Sequence, residues 1–385
     1  MIKMRFIDNV HYGLKFSLNV LLFSGLYQSD SITGFWNVLY FIYFLVVYIF
    51  LAGTYIVAQA GEVIQVWGDI PLMTAALFLL LTNSSLSIKM FNFVHNKEKI
   101  KAIVDECEKV LVSEERERGQ HIIARFIREA KLQLLTYIVL SGGTIVGWGA
   151  SAEKNQLPLR AWYPYNTKKS PAYELTYIHQ CVAVGLAATI NISVDTVVTS
   201  LVALCRCRLQ LLSLSLDTLF DGLSPTDTAV AWSRLRECIQ RHQSVLQATA
   251  LLQHCISFPM LVQFIVSMLI ICATAYQLAF EEANLIRTAS MIFYLIVMTY
   301  QVFIYCYQGN QILLESGAVC EAAYGSDWLV SGPRLRRALL LLMTRAHRPL
   351  ILTASGFADL SLRTFMAIIK ASYTLFTVLQ GVGEK

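Results

Sequence analysis

The sequence predicts an all-α membrane protein with seven transmembrane helices, a cytosolic amino terminus and a cytosolic helical anchor domain. Three observations carry that reading: an apolar composition, seven runs of membrane length, and basic residues concentrated in alternate connections. The 385 residues are 56% hydrophobic and 15% charged. Their mean hydropathy is +0.53, too apolar for a soluble domain of this size. About 20 helical residues cross about 30 Å of hydrocarbon. Uncharged runs of that length lie at 31–61, 70–88, 132–152, 175–194, 256–280 and 288–314. The run 361–380, which carries Arg363 and Lys370, makes the seventh. Long runs without period-2 alternation are helices, because the bilayer admits only helices and closed barrels.

At the amino terminus, the first thirty residues hold Lys3, Arg5, Asp8 and Lys15 but no short apolar core with a small-residue cleavage site. The first span is therefore expected to serve as the targeting signal. Orientation follows from Lys and Arg near the spans, which stay on the cytosolic side. The amino-terminal segment and the second, fourth and sixth connections hold 23 of them, against 6 in the remaining connections and tail, Lys154, Arg160, Lys168 and Lys385 among these. The amino terminus is thus expected inside and the carboxy terminus outside. A G-protein-coupled receptor has seven spans with the opposite orientation. The third span here also lacks a DRY-like triplet and the seventh lacks NPxxY.

The cytosolic connections are patterned. Ile100, Ile103, Val104, Cys107, Val110 and Leu111 recur at helical spacing among Lys and Glu. Leu235, Cys238, Ile239, His242, Val245 and Leu246 do the same, and a third stretch, 335–342, follows Pro333. With Trp232 as their only aromatic anchor, these three are expected to pack against one another and against neighbouring subunits rather than lie on the membrane. Only Cys181 of the nine cysteines falls near the outer face, so the others read as packing residues and reduced thiols. The sequons at Asn83 and Asn191 fall inside spans, out of reach of glycosylation. No HExxH, P-loop or G-x-G-x-x-G is present, so no enzyme, cofactor or metal is expected, and no nucleic-acid partner either. An odd span count with one polar final helix argues against a transporter.

The last run is the most informative. Arg363, Lys370, Thr374 and Thr377 fall along one stripe of a helix that is otherwise apolar. In lipid such a stripe must face protein or water, which reads as the wall of a pore. In the fourth span, Asp195 stands eleven residues before Arg206. It reads either as a partner for a basic residue of the cytosolic half, biasing gating, or as a polar anchor near the inner interface.

The sixth span ends in Tyr305-Cys306-Tyr307-Gln308-Gly309-Asn310 and continues to Tyr324 and Trp328, and the chain closes on Ser372-Tyr373-Thr374-Leu375-Phe376-Thr377-Val378-Leu379-Gln380. This resembles the insect odorant receptor family, with its YC-x-x-GN element, Y-x-x-x-W and final S/T-Y-x-x-F-x-x-L. A gustatory receptor of the same superfamily is the alternative, from which Leu379-Gln380-Gly381 departs.

The resemblance implies an odorant-gated, non-selective cation channel, tetrameric, in the plasma membrane of sensory neurons. It implies membrane lipid, a small volatile odorant and an obligate co-receptor as partners. The connection 206–255 lacks the co-receptor's insertion, so the chain resembles a tuned subunit. The whole chain, 1–385, is then one channel subunit: 31–330 holds spans one to six with a ligand-binding outer half, and 331–380 a cytosolic helix plus the pore-lining last span. The family's gate region corresponds to Tyr373, Phe376, Thr377 and Gln380, which share one helix face. Lys370 must then sit in a wider vestibule or turn toward a neighbouring helix. For the ligand, an apolar cavity with a few polar groups is expected. Ser141, Thr144 and Trp148 share a face of the third span. The family's pocket lies among spans two, three, four and six, which adds Met73, Leu77, Val184, Ala188, Tyr294 and Met298. Gly143 and Gly147 form a GxxxG, which signals close helix approach.

Overall fold

The computed structural model describes residues 12–27, 34–150, 157, 159, 161–167, 169–224, 227–280 and 284–383. Lys3, Arg5, Asp8, Lys154, Arg160, Lys168 and Lys385, used above, and the start of the first run lie outside the described residues. The chain runs through α1 (Tyr12–Phe23), α2 (Phe35–Tyr48), a π-helical segment (Ile49–Thr54), α3 (Tyr55–Gln65), α4 (Ile70–His95), α5 (Lys97–Ser113) and α6 (Glu117–Ala150). It continues through α7 (Ala172–Asp217), α8 (Thr228–Phe280), α9 (Leu285–Gly325), a 3-10 turn (Trp328–Val330), α10 (Pro333–Ala346), the strands β1 (Thr353–Ala354) and β2 (Ala358–Asp359), and α11 (Leu362–Gly383).

Six of these helices, α4, α6, α7, α8, α9 and α11, are long and apolar enough to cross a membrane. The first expected span is the contiguous run α2, π segment and α3, whose i to i+5 stretch divides it into two shorter α-helices. Span four, five and six lie within far longer helices than the bilayer requires: α7 has 46 residues, α8 has 53 and α9 has 41. The amphipathic stretch 235–246 is therefore no separate element but the first part of α8. No Gly or Pro stands between it and the apolar run that follows, so nothing stops the helix.

These extensions, with α5 and α10, form a helical layer at one end of the bundle. Ile103, Cys107, Leu235, Val245, Leu339 and Leu342 are buried there in one large core that continues into the spans. Packing, rather than adsorption to a membrane surface, thus covers the three amphipathic faces. The short α1 adds Leu14 and Leu21 to the same core, which its sequence did not announce. A second apolar core fills the opposite half of the bundle. All nine cysteines are free.

Two local solutions position the site. Inside α8, Pro259 has no N–H to offer the carbonyl of Cys255. That oxygen is satisfied instead by Asn92 Nδ2 of α4 at 2.8 Å. Before α11, the β1–β2 hairpin turns at Ser355 and Gly356, both at positive φ. Gln253 of α8 grips the hairpin in both directions, accepting from Thr353 N at 2.9 Å and donating to Thr353 O at 2.8 Å, while Ser257 accepts from Ser355 N at 2.9 Å. The foot of the last span is thereby fixed to span five.

Candidate functional site: an aromatic cluster, a buried carboxylate and an exposed last helix

In the half of the bundle away from the helical layer, three aromatic rings from three helices meet. Trp148 of α6 and Tyr294 of α9 have centroids 5.2 Å apart, and Phe78 of α4 lies 5.3 Å from Tyr294 and 6.2 Å from Trp148. Val184 and Met298 join the same apolar cluster. Thr82 donates to Phe78 O at 2.7 Å, so across the 2.6 Å contact with Tyr294 it is Tyr294 Oη that donates and Thr82 that accepts. The phenol oxygen keeps its lone pairs. Ser141 and Thr144 are buried on the same helix as Trp148, the Thr144 hydroxyl donating to Leu140 O at 3.1 Å.

Among the expected lining residues, then, the structure brings together Trp148, Val184, Tyr294 and Met298. Met73, Leu77 and Ala188 are half-buried and stand outside that apolar cluster. Phe78 and Thr82 were missed. The polar residues of α4, among them Thr82, Asn83, Ser85 and Lys89, are not gathered on one face, so no periodicity selects which side turns toward the cluster. Gly147 fulfils the GxxxG expectation: a Cβ there would come within 2.0 Å of Ser290 Oγ on α9.

At the middle of the bundle, Asp195 of α7 is fully buried. Lys89 Nζ of α4 lies 2.7 Å from Oδ1, and both side chains are shut off from solvent. Tyr305 Oη of α9 donates to the same oxygen at 2.7 Å, while Tyr137 Oη of α6 donates to Oδ2 at 2.8 Å, joined there by Gln301 Nε2 of α9. Lys89 also donates to Asn191 at 3.1 Å, and Gln263 of α8 donates to Gln301 Oε1 at 3.0 Å. The expected basic partner is thus Lys89; α4, α6 and α9 bond the carboxylate that α7 carries, and α8 reaches it only through Gln301. The sequence held part of the signal, a base and an acid at the ends of two apolar runs, but their mutual distance depends on packing.

Nearer the helical layer, Arg206 of α7 binds Glu129 at 3.0 Å and Gln308 at 2.7 Å, and stacks 5.0 Å from the Phe126 ring. Its neighbour Arg208 pairs with Glu106 of α5 at 2.9 Å.

The last helix, α11, rests on α8 and α9 through Ile368 and Ser372, both buried. Its other side is bare. Arg363, Lys370, Tyr373, Thr374 and Thr377 are exposed along it, Tyr373 by 67%, whereas Phe376 and Gln380 are half-covered on its flank. Lys370 therefore faces away from its own subunit.

A chain of apolar spans around a buried ionic centre, with a polar-striped final helix, is a multi-pass helical membrane protein. Residues 69–373 match the family model described as 7tm Odorant receptor, and the chain belongs to that family, one of receptors rather than of enzymes. Odorant receptor 46a, isoform A, of Drosophila melanogaster is 27% identical over 320 residues, covering 80% of this chain and 82% of that one. Odorant receptor Or1 of Anopheles gambiae is 24% identical over 342 residues, covering 82% of each. The fold matches the insect olfactory receptor OR5 from Machilis hrabei, solved in complex with eugenol, with a TM-score of 0.85 at 20% identity, over 97% of this chain and 100% of that one.

Proposed function

We propose that the chain is the tuned subunit of an odorant-gated cation channel, which binds a small volatile in the aromatic cluster and lines a central pore with α11. The observation that carries the channel reading is the bare stripe of α11. A membrane-length helix with Arg363, Lys370, Thr374 and Thr377 exposed on one face is costly against lipid, and water on a central axis shared by several copies removes that cost. Four copies per channel, with the amino terminus in the cytosol, follow from the family resemblance and from the distribution of basic residues. On that arrangement Tyr373 and Thr377 face the axis, and Phe376 and Gln380 border the contact between neighbours. Lys370 lies just under one turn from Tyr373 and about two turns from Thr377, nearer the helical layer, in a vestibule wide enough to hold its charge in water.

The aromatic cluster supports a flat, weakly polar ligand. Trp148, Phe78 and Tyr294 offer ring faces, and Tyr294 Oη offers an acceptor for a hydroxyl. That the solved relative was captured with eugenol, an aromatic volatile, is in keeping with this. The absence of an insertion between α7 and α8 favours the tuned subunit, which then needs a co-receptor in the same assembly.

The test is whole-cell recording with and without the co-receptor over an odorant panel, applied to Phe376→Ala, Gln380→Ala and Thr377→Cys. Altered selectivity or block in the first two, and inhibition of the third by a thiol reagent from the external solution, are the expected results. Unchanged conductance, block and selectivity in all three sink the pore assignment.

A further inference from the structure

We propose that the Asp195 cluster is the joint through which ligand occupancy is passed to the pore helix, with Gln301 and Tyr305 of α9 as positioning residues for gating. The proposal rests on the channel reading above and goes beyond it by assigning the buried polar residues a role.

One stripe of α9 touches all three regions. Tyr294 and Met298 lie in the aromatic cluster, and one turn further Gln301 and then Tyr305 donate to Asp195. A further turn on, Gly309 lies against the residue that leads into α11: a Cβ on Gly309 would sit 2.3 Å from Leu360 O. On the adjoining face Phe303 meets Phe365 of α11 edge-on at 5.6 Å. On α6 the link is longer: Trp148 of the cluster stands about three turns from Tyr137. A displacement imposed at the aromatic cluster thus reaches the carboxylate within one turn of α9, and the foot of α11 within two turns more.

The chemistry of the joint makes such a displacement discrete. Asp195 receives four donors, two on each oxygen, from α4, α6 and α9. A charge buried this deeply is stable only while its shell is filled. Sliding α9 along α7 strips both α9 donors from the carboxylate together, so intermediate positions are disfavoured and the helix has two settings rather than a continuum. A ligand that fits one setting better than the other then shifts the population between them.

The decisive variant is Tyr305→Phe, which keeps the ring and removes one donor. It is recorded with the co-receptor against hexyl and benzyl alcohols, their esters and ketones, carrying forward one strong and one weak agonist, with surface biotinylation in parallel. The expected result is a shift of at least threefold in the half-maximal concentration, with the weak agonist's maximal current relative to the strong one's moving in the opposite sense. That linked pair marks a changed closed-to-open balance. A loss of channels changes only total current, and a change in the pocket alone moves the concentration without the efficacy. Should Tyr305→Phe stay inside the cell, Gln301→Met is read in the same way. Tyr300→Phe, whose hydroxyl donates to Gln133 O at 3.2 Å outside the carboxylate's shell, is expected to match the unmodified channel. Normal surface delivery with both quantities unmoved, or an equal shift in Tyr300→Phe, overturns the joint while leaving the channel reading intact. Silence of the unmodified complex across the panel overturns the channel reading, and the joint with it.

Discussion

Single residues in this bundle carry well-defined tasks because lipid offers no alternative hydrogen-bond partner. Asn92 replaces the donor that Pro259 lacks. Asn92→Leu leaves the carbonyl of Cys255 unsatisfied inside the bundle and is expected to cost about 1–3 kcal/mol. A lowered midpoint in thermal unfolding of the detergent-solubilised receptor checks it, and an unchanged midpoint contradicts the assignment. Gly147 of α6 lies against Ser290 of α9, with no room for a Cβ between them. Gly147→Val forces those helices apart at an overpacking cost of about 1–3 kcal/mol. Odorant dose–response curves are expected to show at least tenfold lower sensitivity with surface delivery retained. At this scale the sequence was partly legible. Trp148 was suggested by the face it shares with Ser141 and Thr144, and Tyr294 only by the family resemblance. Phe78 could not be placed, since α4 has no single apolar face and only contact with Trp148 and Tyr294 reveals which side turns toward the cluster. Lys89 was counted among the basic residues of a connection, although it is buried in α4 and paired.

Among the elements, the spans followed from length and apolarity, yet their ends did not. α7, α8 and α9 run on as single helices into the layer at the end of the bundle, so any movement of a span is also a movement of that layer. The β1–β2 hairpin has no periodic signature. Two-residue strands are held by the amide of Gln253 and the hydroxyl of Ser257, groups about 100 positions away in the chain. Gln253→Leu keeps the volume and deletes the grip. The foot of α11 then loses its attachment to α8, and the channel is expected to show a larger ligand-free current, measured as the fraction of maximal current removed by a pore blocker. An unaltered fraction means that Leu360 against Gly309 suffices to hold the helix.

At the scale of the whole molecule, the layer built from α5, α10 and the extensions is where protonation can act. His242 is buried against it, and burial together with the nearby Arg345 holds its pKa below the usual value. An imidazole with a folded pKa below its unfolded value, about 6.5, stabilises the fold fully above that value and progressively less as pH falls toward the folded one. Thermal stability is therefore expected to drop as pH is lowered below about 6.5, and His242→Leu is expected to flatten that part of the profile. A cleft of 1130 Å³ opens in the same layer between Phe220, Trp232, Pro333 and Arg337, with Trp232 48% exposed on it. By itself the sequence determined that this is a helical membrane protein with one polar-striped span, because bilayer thickness and the cost of buried charge act on composition and local period alone. Only the tertiary structure decided that Asp195 meets Lys89, that three other spans bond its carboxylate, and that the last span is bare on the side carrying its charges. Those facts depend on how helices are rotated and where they cross, and apolar helices of low periodicity leave both open until they are packed.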